Sequence, residues 1–227
     1  RDPQRRHGSG ALLDQLQALL AQINDAPVDC AVSRFHLAER AHCAALLGRP
    51  LDADEDEQLL LRDAGDELAV SVFVDAPVLQ RLQQRNPLDE LCDENLADFC
   101  TALEGVSHFH YVVWCRQHRR QLSLLELEFQ GEVDKYSAAV CLLRRQGRAD
   151  LPRGLLRRLF DEFHFVRSLP ADTLRRYVEA NRAAARFCAN LERRFLGRRH
   201  FRPERWLGAL QASYRRSHHQ KLQFALQ

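Results

Sequence analysis

Methionine is missing from this 227-residue chain, and lysine occurs only at Lys135 and Lys221. Of 33 Lys and Arg residues, nearly all are therefore arginine, whose planar fork suits carboxylates and phosphates. No run of about 18 apolar residues occurs, so no spanning helix is expected. Arg1 to Gly10 lack the apolar centre of a secretory signal and read as a frayed tail. The seven cysteines are odd in number, scattered, and never spaced as CxxC. That pattern argues against a disulfide framework or a thiolate zinc site, and for small buried thiols in a reducing, cytoplasmic compartment. The phosphate loop, GxGxxG, GxSxG and HExxH are absent, as are helix-turn-helix, zinc-finger and RRM signatures. No motif names a reaction, and no fixed-period repeat or low-complexity linker is visible.

Hydrophobic residues make up 45% of the chain, enough for a sizeable core in one large or two small domains. The net charge of +2 hides an asymmetry. Residues 1–143 hold 13 basic and 24 acidic side chains, whereas 144–227 hold 20 and 7. Either the two parts neutralise each other within one fold, or the basic part meets an anionic partner. The expected division is an acidic α/β part, 1–145, and a basic all-helical part, 146–227, which can share one core.

Apolar spacing predicts a helix over Ala11–Gln22, and Ser33 reads as the N-cap of a second, Arg34–Leu47, closed by Gly48. A β-hairpin is expected from Leu59–Asp63 and Leu68–Val74 around Gly65-Asp66. A short helix, Val78–Arg85, and another, Leu88–Leu103, ending at Gly105, should follow. The β-branched and aromatic run Val106–Cys115 (VSHFHYVVWC) reads as a third strand. LSLLELEF also alternates like a strand. However, Ser123 and Glu126 fit a capping box, and Leu125, Phe129, Val133, Tyr136, Val140 and Leu143 make one helical stripe, so helix 123–145 is preferred. Beyond Pro152 the pattern is helical: Thr173–Leu196 after Asp172, then Pro203 to about Phe224. The expected fold is a helix-dominated α+β protein. Its small antiparallel sheet of about three strands is covered by helices and followed by a C-terminal helical array.

Five constellations bear chemistry. On a strand, His108 and His110 would share a face and could hold one metal ion, with Ser107 as a hydrogen-bonding positioner. The row Glu126, Glu128, Gln130, Glu132, Asp134, Lys135 is either a solvated helix face or a source of paired carboxylates, Glu128 and Glu132. If the turn Arg116–Gln121 folds this helix back, those carboxylates approach the histidines. Glu39-x-x-His42 and Asp161-x-x-His164 resemble halves of a di-iron motif, which chance also supplies. Asp52 to Glu57 opens like a calcium loop but has Glu57 where a glycine is needed, so a solvated acidic turn is expected. Finally, Arg194, Arg198, Arg199, Arg202 and Arg205 form a basic surface for an anion, with Arg215, Arg216 and Lys221 beyond Tyr214. The leading expectation is a non-catalytic binding or regulatory protein. Its basic helices would contact an anionic macromolecule, nucleic acid or acidic protein. The alternatives are a small metal- or phosphate-dependent enzyme built on Ser107, His108, His110, Glu128 and Glu132, and a structural subunit with internally neutralised charge.

Overall fold

The computed structural model describes residues 3–64, 67–148, 154–161, 171–196, 202–216 and 220–221, and the side chains among them except at 3–9, 63–64 and 67–68. The protein is a helix-dominated α+β fold with a small three-stranded sheet. Helix α1 spans Pro3–Asn24, so the expected frayed tail is helical from Pro3 onward, and Arg1 and Asp2 lie outside the described residues. Its face Leu12, Leu13, Leu16, Leu19, Leu20 and Ile23 is buried at helical spacing.

The segment expected as one helix from Arg34 is instead a 3₁₀ turn (Val32–Phe35), a two-residue strand β1 (His36–Leu37) and α2 (Arg40–Leu47). Ser33 is not an N-cap, because its hydroxyl donates to Asp14 Oδ2 at 2.7 Å and its backbone N–H to Asp14 Oδ1 at 3.0 Å. Gly48 closes α2 as expected, at φ 69°. The hairpin forms from β2 (Glu57–Ala64) and β3 (Glu67–Val74), paired antiparallel with Leu59 opposite Val72; Gly65 and Asp66 lie outside the described residues. β1 adds to β3 in parallel, so the sheet is mixed, in the order β1-β3-β2. Helix α3 (Ala76–Gln84) follows, with Pro77 in its first turn.

The expected third strand, Val106–Cys115, does not exist: those residues belong to α4, Asp93–Gln117. Asn95 fixes its start by accepting from Cys92 N at 2.9 Å and donating to Glu90 O at 2.8 Å, with Asp93 and Glu94 in the first turn. The strand signal misleads because every residue from Gly105 to Val112 is buried. A helix enclosed all round reads as an unbroken apolar run, and the β preference of Val, Phe and Tyr yields to packing. Gly105 does not end a helix. It lies inside α4, where a Cβ would stand 3.0 Å from Val72 Cγ1 and 3.0 Å from Glu57 Cγ. The glycine lets the sheet reach the helix backbone. Arg119, at φ 51°, then turns the chain.

Helix α5 (Leu124–Arg145) starts as expected, with Ser123 Oγ accepting from Glu126 N at 3.1 Å. Every residue from Glu126 to Val140 is buried, the acids included, so the solvated-face reading of this row is overturned. α6 (Leu155–Phe160), α7 (Ala171–Leu191), a π-helical turn (Glu192–Leu196) and α8 (Pro203–Tyr214) complete the array. Pro152, Phe224 and neighbouring residues of the expected boundaries lie outside the described residues. α4 packs against β2, β3, α1, α3 and α5; α7 packs on α5, and α8 on α1. One hydrophobic cluster contains Leu12, Phe99, Val140, Phe187 and Leu210, drawn from both charge-opposed segments. Each such side chain contributes about 1.5–3 kcal/mol by burial. No described helix is long and apolar enough to cross a membrane.

Candidate metal centre and its polar surroundings

Two buried polar clusters lie along the α4–α5 contact. The first joins three elements. Glu104 and His108 are one turn apart on α4, Glu128, Glu132 and Lys135 line α5, and Glu57 enters from the first residue of β2. His108 Nδ1 lies 3.7 Å from Glu57 Oε1, and Nε2 lies 3.5 Å from Glu128 Oε2. Both distances are longer than a formed N–H···O bond. Accordingly, Glu57 Oε1, His108 Nε2 and Glu132 Oε2 are buried without a hydrogen-bond partner among the described residues. Lys135 Nζ donates to Glu104 Oε2 at 2.9 Å and Glu132 Oε1 at 2.8 Å. Arg176 of α7 brings its Nε to 3.9 Å from Glu128 Oε1. Room for the imidazole comes from Gly131, where a Cβ would stand 3.0 Å from His108 Nε2.

Burial opposes charge on His108, but the carboxylates of Glu128 and Glu57 outweigh it and hold the imidazole protonated well above its usual range. Burial raises Glu57 and Glu132. Burial would also raise Glu104, but the Lys135 ammonium pulls it below its ordinary value. One ligand atom from each of Glu57, Glu104 and His108 falls within 4.8 Å of the others. Two carboxylates and an imidazole, enclosed and incompletely bonded, form a donor set for a divalent cation, which would take the place of the imidazole's proton.

The second cluster is a continuous hydrogen-bonded chain. Ser107 Oγ donates to Asp134 Oδ2 at 2.6 Å, while Asn24 and Gln130 donate to Oδ1, each at 2.9 Å. Gln130 Oε1 accepts from Lys221 Nζ at 2.9 Å, and Lys221 also donates to the Tyr111 hydroxyl at 2.6 Å. Tyr111 in turn donates to Glu126 Oε1 at 2.5 Å, and Arg120 donates to the same oxygen and to the carbonyls of Tyr214 and Arg216. The Lys221 ammonium lies 4.3 Å from the Tyr111 ring centroid and 5.7 Å from that of Tyr214. Burial pulls the Lys221 pKa down to about 8 against the attraction of Glu126. This lysine, counted in sequence with the outward basic array, is 2% exposed.

The expected site residues therefore part company. His108, Glu128 and Glu132 come together, joined by Glu57 and Glu104, which sequence reasoning missed. The expected histidine pair is broken. On a helix, positions two apart face away from each other, and His110 Nε2 bonds to Ala26 O at 2.8 Å. Burial drives the His110 pKa down to about 4. Ser107 faces Asp134 rather than His108. The spacing Glu104-x-x-x-His108 was the available signal, and it stayed hidden while α4 was divided into helix and strand.

The acidic turn before β2 is not simply solvated. Arg49 pairs with both Glu55 oxygens, at 2.8 and 2.7 Å, and Arg40 bonds to Asp56, Asp75 and the Asp52 carbonyl. Glu39 and His42 flank an open groove of about 820 Å³ with Asp14, Ser33 and His36, and His164 lies outside the described residues. Arg194, Arg202 and Arg205 are exposed, and Arg198 and Arg199 lie outside the described residues. Compared with known proteins, the chain matches no family model, no curated protein and no solved structure.

Proposed function

We propose that the protein is a metal-dependent enzyme whose divalent cation is held by Glu57, Glu104 and His108, with Glu128 on the far side of the imidazole. One observation carries this reading: Glu57 Oε1, buried and 3.7 Å from His108 Nδ1, has no hydrogen-bond partner among the described residues. Such orphaned groups are costly unless something completes them. An oxygen-rich set with one imidazole suits Mn²⁺ or Fe²⁺ better than a thiolate-seeking ion. Bound there, the ion would supply Lewis acidity and an activated water. Glu57 and Glu104 have side chains 15% and 19% exposed, against 5% for His108, so substrate would approach from their side. The seven free thiols support a reducing, cytoplasmic setting. Calorimetric titration of the apoprotein with Mn²⁺ tests the reading. Sub-millimolar binding that Glu57→Gln weakens at least about tenfold is expected; no heat and no rise in melting temperature would remove it.

A second reading keeps the basic surface. Among the described residues no carboxylate pairs with Arg194, Arg202 or Arg205, which leaves their charge open to an anionic macromolecule. Binding of an oligonucleotide or polyglutamate at low salt, lost by about 200 mM salt, is the expected result. No measurable binding at low salt would sink it.

A further inference from the structure

We infer that Lys135 fills, with its own ammonium group, a second cation position of this centre and so limits it to one metal ion; the inference rests on the metal reading above. The ammonium is held as a small cation would be. It is buried, 2% exposed, and clasped between Glu104 Oε2 of α4 at 2.9 Å and Glu132 Oε1 of α5 at 2.8 Å. Glu104 is common to both positions. It belongs to the donor set with Glu57 and His108, and it also faces Lys135. A carboxylate shared in this way is the usual bridge between two metal ions. Glu132 has a further oxygen, Oε2, buried and without a hydrogen-bond partner among the described residues, so it retains a free donor atom.

Charge points the same way. With the imidazole neutral, the four carboxylates (Glu57, Glu104, Glu128, Glu132) would be balanced by one divalent ion together with the Lys135 ammonium and the Arg176 guanidinium, and a second divalent ion beside them would leave the cluster two charges positive. Lysine cannot be displaced into solvent without parting two carboxylates from their counter-charge in a buried place, so the position stays taken. The consequence for chemistry is specific. A centre so filled would supply the chemistry of a single ion rather than that of a metal pair.

The test compares the full-length protein with its Lys135→Gln and Lys135→Met variants. Mn²⁺ binding is counted by calorimetry and by the paramagnetic resonance of bound and free ion. The variants should take up one equivalent more than the wild type, show the signature of a coupled Mn²⁺ pair, and regain lost thermal stability as Mn²⁺ is added. A merely structural ion pair would give variants that lose stability and are not rescued. Unchanged stoichiometry, or variants that stay unfolded at saturating Mn²⁺, overturns the inference. A wild type that binds nothing sinks the metal reading and the inference with it, whereas a wild type that binds one ion while the variants bind no more sinks the inference alone.

Discussion

Gly131 of α5 faces the imidazole of His108 so closely that a single methyl group on it would stand 3.0 Å from Nε2. The atom in the way is a ring nitrogen held among Glu57, Glu128 and two helices, so it has little freedom to retreat. Gly131→Ala should therefore displace His108 and cost about 1–3 kcal/mol of stability despite alanine's better helix propensity. Urea unfolding checks the cost, and Mn²⁺ titration should show weaker binding. A variant as stable as the wild type with undiminished binding would show that the imidazole does not need its place.

The two histidines of the HxH sequence should behave oppositely. His108→Ala removes a donor of the cluster and should lower Mn²⁺ affinity by at least about tenfold. His110→Ala breaks the bond to Ala26 O and costs about 1–3 kcal/mol of stability, but should leave Mn²⁺ affinity unchanged. Equal losses of affinity in both variants would contradict the separation of the two rings.

Tyr111 holds the second cluster together, because its hydroxyl accepts from Lys221 and donates to Glu126. Tyr111→Phe keeps the ring beneath the ammonium and leaves both charged groups one bond short. A loss of about 1–3 kcal/mol is expected, read by urea or thermal unfolding. A neutral outcome would mean that Arg120, which already donates to Glu126, satisfies that carboxylate alone.

Lys221 gives a pH dependence with a definite sign. Its ordinary value of 10.5 falls to about 8 in the folded protein, so between those limits the unfolded chain binds the proton more tightly. Through this residue stability must then rise as pH increases from about 8, by up to about 1.4 kcal/mol per pH unit. The groups facing it are Glu126, Arg120, Cys115 and Asp134. Cys115, raised to about 11 by burial, contributes the opposite slope above its ordinary value of 9.0. Comparing urea midpoints of the wild type and Lys221→Met from pH 7.5 to 9 isolates the lysine. The difference should move in favour of the wild type as pH rises, and a flat difference would contradict the lowered value.

The hairpin, α1 and α5 were legible in the sequence because each carries a turn, period or cap that local physics enforces: a glycine-containing turn between two β-rich runs, the Leu12–Ile23 stripe, and Ser123 ahead of Glu126. α4 was not, since Gly105 and the aromatic run gave local signals that tertiary enclosure overrides. The site was half visible. Glu128, Glu132 and His108 could be picked out as residue types and set on adjacent elements by the short turn at Arg116–Gln121. Glu57 could not be found, because it arrives from a sheet whose approach to α4 depends on Gly105, a contact that no spacing encodes. Lys221 was misjudged for a related reason: a lone lysine among arginines looks like surface until an aromatic and carboxylate lining is known.

The inward row on α5 also governs how α4 and α5 can be aligned. Ser107 meets Asp134, His108 meets Glu128, Tyr111 meets Glu126, and Lys135 meets Glu104. Sliding one helix by a single turn, about 5.4 Å, would part all four couples at once and strand ionised groups among leucines and phenylalanines. An all-apolar seam would tolerate several neighbouring settings; this one admits a single setting, so the pair works as a ruler that fixes where β2 and the C-terminal lysine must arrive.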